Sequence, residues 1–521
     1  MPRVADGAAS PVLRVTPIGP GGCLAPPGTP GAPPRLPSPW RSAAAALADA
    51  TRAAADVGAS PPVIMVVGPR GSGKSTLARL VANEVGSSGG GAPSSPSTPA
   101  LLPCPVLWVD GDAGQPEFTP PGLISAHLLR SGGGGAGSGG GGLPILGPPH
   151  THPRPGPPAA AAFLGSPNPG ADPGRYASGA DLVGRWGRSP EAAVAAGSGG
   201  GLGSHTTPAL PAIINTHGWA RGVGADLTAT LACAAAPTHV LVLASSSHPA
   251  RNTPPVPWWP VSEGGGGGGG RGDHPPPPLV ATLEAAGEGV AGSLALSPSD
   301  ARALAWLAWA RACCAESAAV VAAFSPVAAA LAATTPFLLR LGGGGASPSP
   351  RPRLVWVGGG GTPPPARELQ ALNAGVVGVG VEECGEEEGG SDSSSEGEGE
   401  DGGGGGVPAL PSFLGLALVR AADAGSASTP PALYLLMPPA VAGALRAALA
   451  GPDRRRRRLV LQAGGCEVPP ALLHWSEAKG GDGGPSAGAS PYLAPWCLAG
   501  VGTGARVQAS RNDLARAGQQ K

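Results

Sequence analysis

The string GPRGSGKST (Gly68 to Thr76) follows the apolar run VIMVV (Val63 to Val67) and leads into TLARLVANEV (Thr76 to Val85). The apolar run reads as a buried strand and the next segment as a helix. Between them the pattern G-x-x-x-x-G-K-[ST] is complete, with Gly68, Gly73, Lys74 and Ser75 at its defined positions. Strand, loop and helix is the setting in which such a loop cradles phosphate. Its glycines let backbone N–H groups converge on phosphate oxygens, and the helix N-terminus adds a favourable dipole. Pro69, Arg70, Gly71 and Ser72 complete the loop, with Thr76 just beyond it. Lys74 would reach the outer phosphates, and Ser75 would offer its hydroxyl to Mg²⁺. The alternative is a glycine-rich turn that matches by chance. Against it, Lys74 is one of three lysines in the whole chain.

Composition sets the background. Gly contributes 89 and Pro 66 of the 521 residues. Together they reach the ~30% at which low-complexity disorder is expected. The glycines are clustered, however, so segments of ordinary patterning survive between the clusters. Formal net charge is zero. There is then no global electrostatic sign of nucleic-acid binding, and any such site must be a local patch. The eight cysteines include no C-x-x-C pair, and no His/Cys cluster has zinc spacing. Reduced thiols in an intracellular compartment are expected, with Cys313 and Cys314 in a core. The N-terminus lacks the apolar core of a signal peptide. The apolar stretch from Ala318 to Thr335 is broken by Pro326 and reads as a buried element, so no membrane span is expected.

The fold class expected is α/β. Residues 1–38 read as a disordered Pro/Gly-rich N-terminus. Residues 39–320 read as a nucleotide-binding domain with a parallel sheet, opened by a helix over Trp40 to Ala55. Its strands are Val63–Val67, Val106–Val109, Ala212–Asn215 and His239–Leu243, and they alternate with helical patterns. Low-complexity insertions at Ser87–Ala100, Ser131–Gly142, Gly197–Ser204 and Gly264–Pro278 suit surface loops. Residues 321–521 read as a smaller β-rich domain, with strands at Leu354–Gly358, Gly375–Val381, Leu414–Arg420 and Ala432–Met437. An acidic tract starting at Glu382 reads as a disordered loop over residues 382–406.

Two more segments carry chemistry. In VLWVDGDAGQPEFTPPG (Val106 to Gly122) a strand ends in Asp110, followed by Asp112 and Gln115. Carboxylates at a strand's C-terminal end can hold the Mg²⁺ shell or accept the proton of an attacking hydroxyl. The alternative is a simple turn, for which Asp and Gly are common residues. In INTHGWARGVGADL (Ile214 to Leu227), Thr216, Gly218 and Trp219 lie just past a strand, beside Arg221. Trp219 either packs in the interior or offers a stacking platform to a nucleobase. The run Arg454 to Arg458 reads as a solvated loop, a nuclear localisation signal or a contact for RNA phosphates. Arg506, Arg511 and Arg516 read as a possible RNA or partner surface.

GPRGSGKST, DGDAGQPEFTPPG, INTHGWARGVGADL and PTHVLVL (Pro237 to Leu243) occur in one order, and together they resemble the nucleolar polynucleotide 5′-hydroxyl-kinase family. That family is related to the cleavage-and-polyadenylation-factor RNA kinases. Further segments resemble it as well: Ala162 to Tyr176, Leu296 to Ala310 and Val501 to Leu514. The resemblance implies transfer of the γ-phosphate of ATP to the 5′-hydroxyl of RNA, with Mg²⁺. By it, Lys74, Ser75 and Thr76 handle ATP and metal, with Asp110 and Asp112 in the metal shell. Asp112 is the base, and Gln115 helps position it. Thr216 and Trp219 contact substrate, and Arg302 stabilises the transferring phosphoryl group. The resemblance also implies a nuclear, nucleolar location, a role in ribosomal RNA processing and an endoribonuclease partner. The segment Gly165-Ser166-Pro167 is shorter than in relatives. The rival reading is a catalytically silent ATP-binding scaffold subunit of an RNA-processing complex. A small-molecule kinase is a weaker third, since it would need no Trp platform.

Overall fold

The computed structural model describes residues 36–87, 105–131, 141–143, 157–195, 210–244, 277–285, 297–314, 334–341, 352–358, 368–384, 410–423, 430–450 and 456–466, with a few isolated positions besides. Helix α1 (Ser38–Asp56) comes first, followed by strand β1 (Val63–Val67) and helix α2 (Lys74–Ser87). Next come β2 (Val106–Asp110), β3 (Leu123–Ser131), β4 (Gly141–Leu143), β5 (Ala160–Phe163), α3 (Pro173–Trp186) and α4 (Pro190–Ala195). The first half closes with β6 (Ala212–Asn215), α5 (Val223–Ala235), β7 (His239–Ala244), β8 (Leu279–Glu284) and α6 (Pro298–Cys313).

The strands of this half form one eight-stranded sheet, in the order β4-β3-β2-β6-β1-β7-β8, with β5 paired to β3. The run β2-β6-β1-β7-β8 is parallel throughout. β3 is antiparallel to β2, and β5 is antiparallel to β3. All five residues of β1 are buried, as a central strand covered on both faces requires. Alternate side chains serve opposite cores. Val63, Met65 and Val67 pack with Tyr176, Val183, Leu227 and Leu231 of α3 and α5. Ile64 and Val66 pack with Trp40, Leu77, Val81 and Trp108 on the α1/α2 side. Helix α1 buries Trp40, Ala44, Leu47, Ala48 and Thr51, a stripe at helical spacing. The Trp40 indole N–H ties this helix to the sheet edge by donating to the Glu284 carbonyl at 2.9 Å.

The second half comprises β9 (Phe337–Arg340), β10 (Arg353–Trp356), α7 (Glu368–Ala371), β11 (Val376–Glu383), β12 (Ser412–Asp423), β13 (Ala432–Leu436), α8 (Pro439–Ala450) and β14 (Arg457–Ala463). Its six strands run in the order β10-β14-β11-β12-β13-β9, antiparallel except for the β10–β14 pair. One face is covered by α8 through Val441, Ala442 and Leu445. The other face packs Leu416 and Leu418 against Trp306 and Trp309 of α6 and against Leu123 and Phe163 of the first sheet. The fold is thus α/β, with a large mostly parallel sheet and a second, β-rich sheet joined along that seam.

The expected strands are all present. Added to them are β3, β4, β5, β8, β9 and β14, which the sequence reading did not mark. Helix α1 begins at Ser38, inside the span read as a disordered N-terminus. The insertion expected at Ser131–Gly142 has strand residues at both ends, because Ser131 closes β3 and Gly141 opens β4 beside it. The first residues of the acidic tract are not in a loop. Glu382 and Glu383 belong to β11, where they face Arg458 and Arg457 of β14. Glu382 accepts from Arg353 at 3.2 Å and lies 3.7 Å from Arg458. The end of the arginine run is therefore a strand paired to acid, not a free loop. Residues 1–35 and 385–401, Arg454, Arg455, Arg506, Arg511, Arg516 and the segment Val501 to Leu514 lie outside the described residues. No helix among the described residues is long and apolar enough to cross a membrane.

Candidate active site

The phosphate-binding loop spans the gap between the end of β1 and the start of α2. Gly71 and Gly73 have φ of +77° and +93°, a region that glycine alone enters without strain. The turn lets α2 start at Lys74, and the Leu77 N–H donates to the Gly73 carbonyl at 2.9 Å. The Lys74 ammonium folds back to donate to the Pro69 carbonyl at 2.8 Å. Burial lowers its pKa to about 8, while the charge of Asp112 works in the opposite direction. The lysine and the second aspartate are thus close enough to feel each other's charge. The Ser72 hydroxyl is buried in the same loop with no hydrogen-bond partner among the described residues.

Asp110 ends β2 and is fully buried. Its Oδ1 accepts from the Asp112 N–H at 3.2 Å and the Asn215 amide at 3.3 Å. Its Oδ2 accepts from the Trp108 indole at 3.5 Å and, closely, from the Glu117 N–H. Burial raises this carboxyl to about 8, and the neighbouring Asp112 and Glu117 charges add to the rise. With both oxygens enclosed by four donors, Asp110 does not present itself to a metal as the sequence reading expected. It organises the loop instead. Asp112 is the half-exposed carboxylate of the pair. Its Oδ1 accepts from the Gly114 and Gln115 N–H groups at 3.0 and 3.1 Å. Its other oxygen holds no hydrogen bond among the described residues. The Gln115 side chain is exposed, and its link to Asp112 is through the backbone.

The third loop leaves β6, the strand between β2 and β1. The Asn215 side chain joins both neighbours. Its oxygen accepts from Ser75 Oγ at 3.4 Å, and its nitrogen donates to Asp110. Thr216 is buried and donates its hydroxyl to the Val66 carbonyl at 2.8 Å. It therefore secures the end of β1 with its one donor, which leaves only acceptor capacity for the substrate contact expected of it. Gly218 lies so close to the phosphate loop that a Cβ there would sit 2.7 Å from the Arg70 Cα. Trp219 is 42% exposed. Its ring edge lies against Gly170, on the short 3-10 turn Pro169–Ala171. The Tyr176 hydroxyl donates to the Gly111 carbonyl at 2.9 Å, and its ring meets His217 edge-on at 5.8 Å.

Arg302 lies one turn before Trp306 on α6, whose tryptophans are held in the seam between the sheets. It makes no hydrogen bond or ion pair among the described residues, and nothing there brings it to Lys74 or Asp112. The sequence reading missed Asn215, His217, Tyr176, Arg79 and Glu117. Parallel sheets carry their ligand sites at the C-terminal ends of strands, and that rule alone would have picked out Asn215 and His217. Arg79 and Glu117 sent no such signal.

Among the described residues no three His, Cys, Asp or Glu side chains converge on one point. Mg²⁺ at a phosphate site needs no such cage, because one or two side-chain oxygens join water and phosphate oxygens. Ser75 and Asp112 supply hard oxygen donors of that kind and fit the ion.

Residues 68–132 match the family model described as mRNA cleavage and polyadenylation factor CLP1 P-loop. The chain is 29% identical over 190 residues to "Polynucleotide 5'-hydroxyl-kinase NOL9" of Danio rerio. It is 25% identical over 186 residues to "Polynucleotide 5'-hydroxyl-kinase nol9" of Dictyostelium discoideum. Each match takes in 36% of this chain but only 20% and 21% of the relative. The structure "Structure of wild-type Clp1p-Pcf11p (454 -563) complex" aligns over 81% of this chain and 78% of that one, at 13% identity and a TM-score of 0.42. At that distance the structural likeness adds nothing to the sequence matches. The family-model match takes in the phosphate-binding loop and the loop of Asp112, and with the two relatives it shows that this chain carries a CLP1-type P-loop and resembles the nucleolar polynucleotide 5′-hydroxyl-kinase family.

Proposed function

We propose that this protein is an ATP-dependent polynucleotide 5′-hydroxyl kinase that transfers the γ-phosphate of ATP to the 5′-hydroxyl end of RNA. One observation carries the reading. The loops bearing Asp112, Trp219 and Lys74 leave the C-terminal ends of the adjacent parallel strands β2, β6 and β1, so acceptor, base and phosphate groups share one edge of the sheet. Lys74 would leave the Pro69 carbonyl to neutralise the outer phosphates. Ser75 and Asp112 would hold Mg²⁺, which supplies further charge neutralisation at the phosphates. The uncommitted oxygen of Asp112 would accept the proton of the attacking 5′-hydroxyl. Trp219 would stack on the base at the accepting end, worth about 1–3 kcal/mol. Arg302 is, by the family resemblance, the cation for the transferring phosphoryl group, a role that requires α6 to carry it toward Lys74 and Asp112 when nucleotide binds. Its guanidinium is uncommitted among the described residues and thereby available.

The names of the two curated relatives support this chemistry. The proposed role is nucleolar, in ribosomal RNA processing beside an endoribonuclease that leaves 5′-hydroxyl ends. The test is transfer of γ-labelled phosphate to a short 5′-hydroxyl RNA, with a 5′-phosphate RNA and the Lys74→Ala protein as controls. Label confined to the 5′-hydroxyl RNA, and absent with Lys74→Ala, is the expected result. ATP binding without transfer, unrestored by a co-purified nuclease, would identify a scaffold instead.

A further inference from the structure

Trp219 is anchored through a closed circuit of neighbours. Its backbone N–H donates to His217 Nδ1 at 3.3 Å. Nδ1 is therefore bare, and the ring proton of the neutral imidazole sits on Nε2. Nε2 faces the Thr228 hydroxyl at 3.4 Å, and that hydroxyl donates to the Gly224 carbonyl at 2.9 Å. Gly224 completes the circuit, since a Cβ there would sit 2.3 Å from the Trp219 ring. The backbone of the tryptophan and the floor under its indole are thus fixed by one imidazole. That imidazole is 6% exposed and leans on Tyr176, which is bonded to the loop of Asp112.

We infer that His217 is a positioning residue that sets the pose of the Trp219 platform, and through it the affinity for the polynucleotide acceptor. This rests on reading Trp219 as the surface for the accepting base. His217 touches no reacting atom in this scheme. Its contribution is to remove the freedom of an exposed loop aromatic before the base arrives, which lowers the ordering cost of binding.

The experiment is a double-mutant cycle on the full-length protein, read as affinity for a short 5′-hydroxyl oligoribonucleotide and, separately, for a non-hydrolysable ATP analogue. His217→Ala is expected to weaken RNA binding about fivefold, the loss of one neutral hydrogen bond, and to leave the analogue unaffected. In a Trp219→Ala background the same change should cost nothing further. His217→Asn, whose amide oxygen can take the place of Nδ1, should keep most of the RNA affinity. It also serves as the probe if His217→Ala melts at a lower temperature. If His217→Ala costs as much with Trp219 absent as with it present, or weakens the analogue equally, the assignment of His217 is overturned. If Trp219→Ala leaves RNA affinity unchanged, the platform reading itself is overturned, and His217 falls with it.

Discussion

The Arg79 guanidinium grips the Glu117 carboxylate with two nitrogens, at 2.8 and 3.2 Å. Arg79 lies one turn beyond Ser75 on α2, and Glu117 donates its backbone N–H to Asp110. The pair therefore bolts the helix that starts at Lys74 to the loop that presents Asp112. Glu117 is almost fully buried and Arg79 is not. Arg79→Ala should cost about 3–5 kcal/mol, because it strands a buried carboxylate. Glu117→Gln should cost less, since the arginine can turn to water. Urea unfolding of the two variants would give this order.

Asp112→Asn removes the proton acceptor while preserving the Oδ1 contacts to Gly114 and Gln115. Phosphate transfer should fall by about 10²–10⁴, with affinity for the ATP analogue retained. Single-turnover transfer beside equilibrium binding would show this, and strong residual transfer would remove Asp112 from the role.

Burial raises the Asp110 carboxyl to about 8 in the folded chain, from its ordinary value of 3.8. Between those values the folded state holds a proton that the unfolded state has released. The contribution of Asp110 to stability is therefore fully present below about pH 4 and is lost as pH rises toward 8. Asp110→Asn should flatten this decline relative to the wild type. Denaturant midpoints measured from pH 4 to pH 8 would reveal the difference, and parallel curves would contradict it.

Two glycines should separate the nucleotide from the acceptor. Gly218→Ala drives a methyl toward the Arg70 backbone, and Gly224→Ala drives one toward the Trp219 ring. Overpacking of this kind costs about 1–3 kcal/mol. The first change should weaken the ATP analogue about tenfold. The second should weaken RNA by a similar factor and spare the analogue. Isothermal titration of each variant with both ligands is the check.

Much of this was legible in the chain. Val63–Val67, Val106–Val109, Ala212–Asn215 and His239–Leu243 announce themselves as mostly apolar runs, three of them entered through a proline, because central parallel strands are buried on both faces. The phosphate loop and Asp112 follow from local pattern. Edge and joining strands do not. β4 begins with two glycines, and β8 is a short run after a Gly/Pro-rich stretch, exposed along most of its length, so neither stands out as a central strand does. Thr216 reads as substrate-binding because it sits in a motif, yet its one donor goes to the Val66 carbonyl, 150 positions away. Asp110 reads as a metal ligand because it ends a strand, yet four donors drawn from three segments enclose it. No local rule foresees partners of that kind.

The long reach of such contacts has an evolutionary consequence. The register of the first sheet is fixed by pairs such as Val66 with Asn215 and Val66 with Leu241, not by the lengths of chain that connect them. Closing a flexible connection costs only about 0.6 kcal/mol more for each doubling of its length. A gene drifting toward glycine and proline codons can therefore expand between these strands many times over. Selection would notice only when the expansion reached a residue that another strand is waiting for.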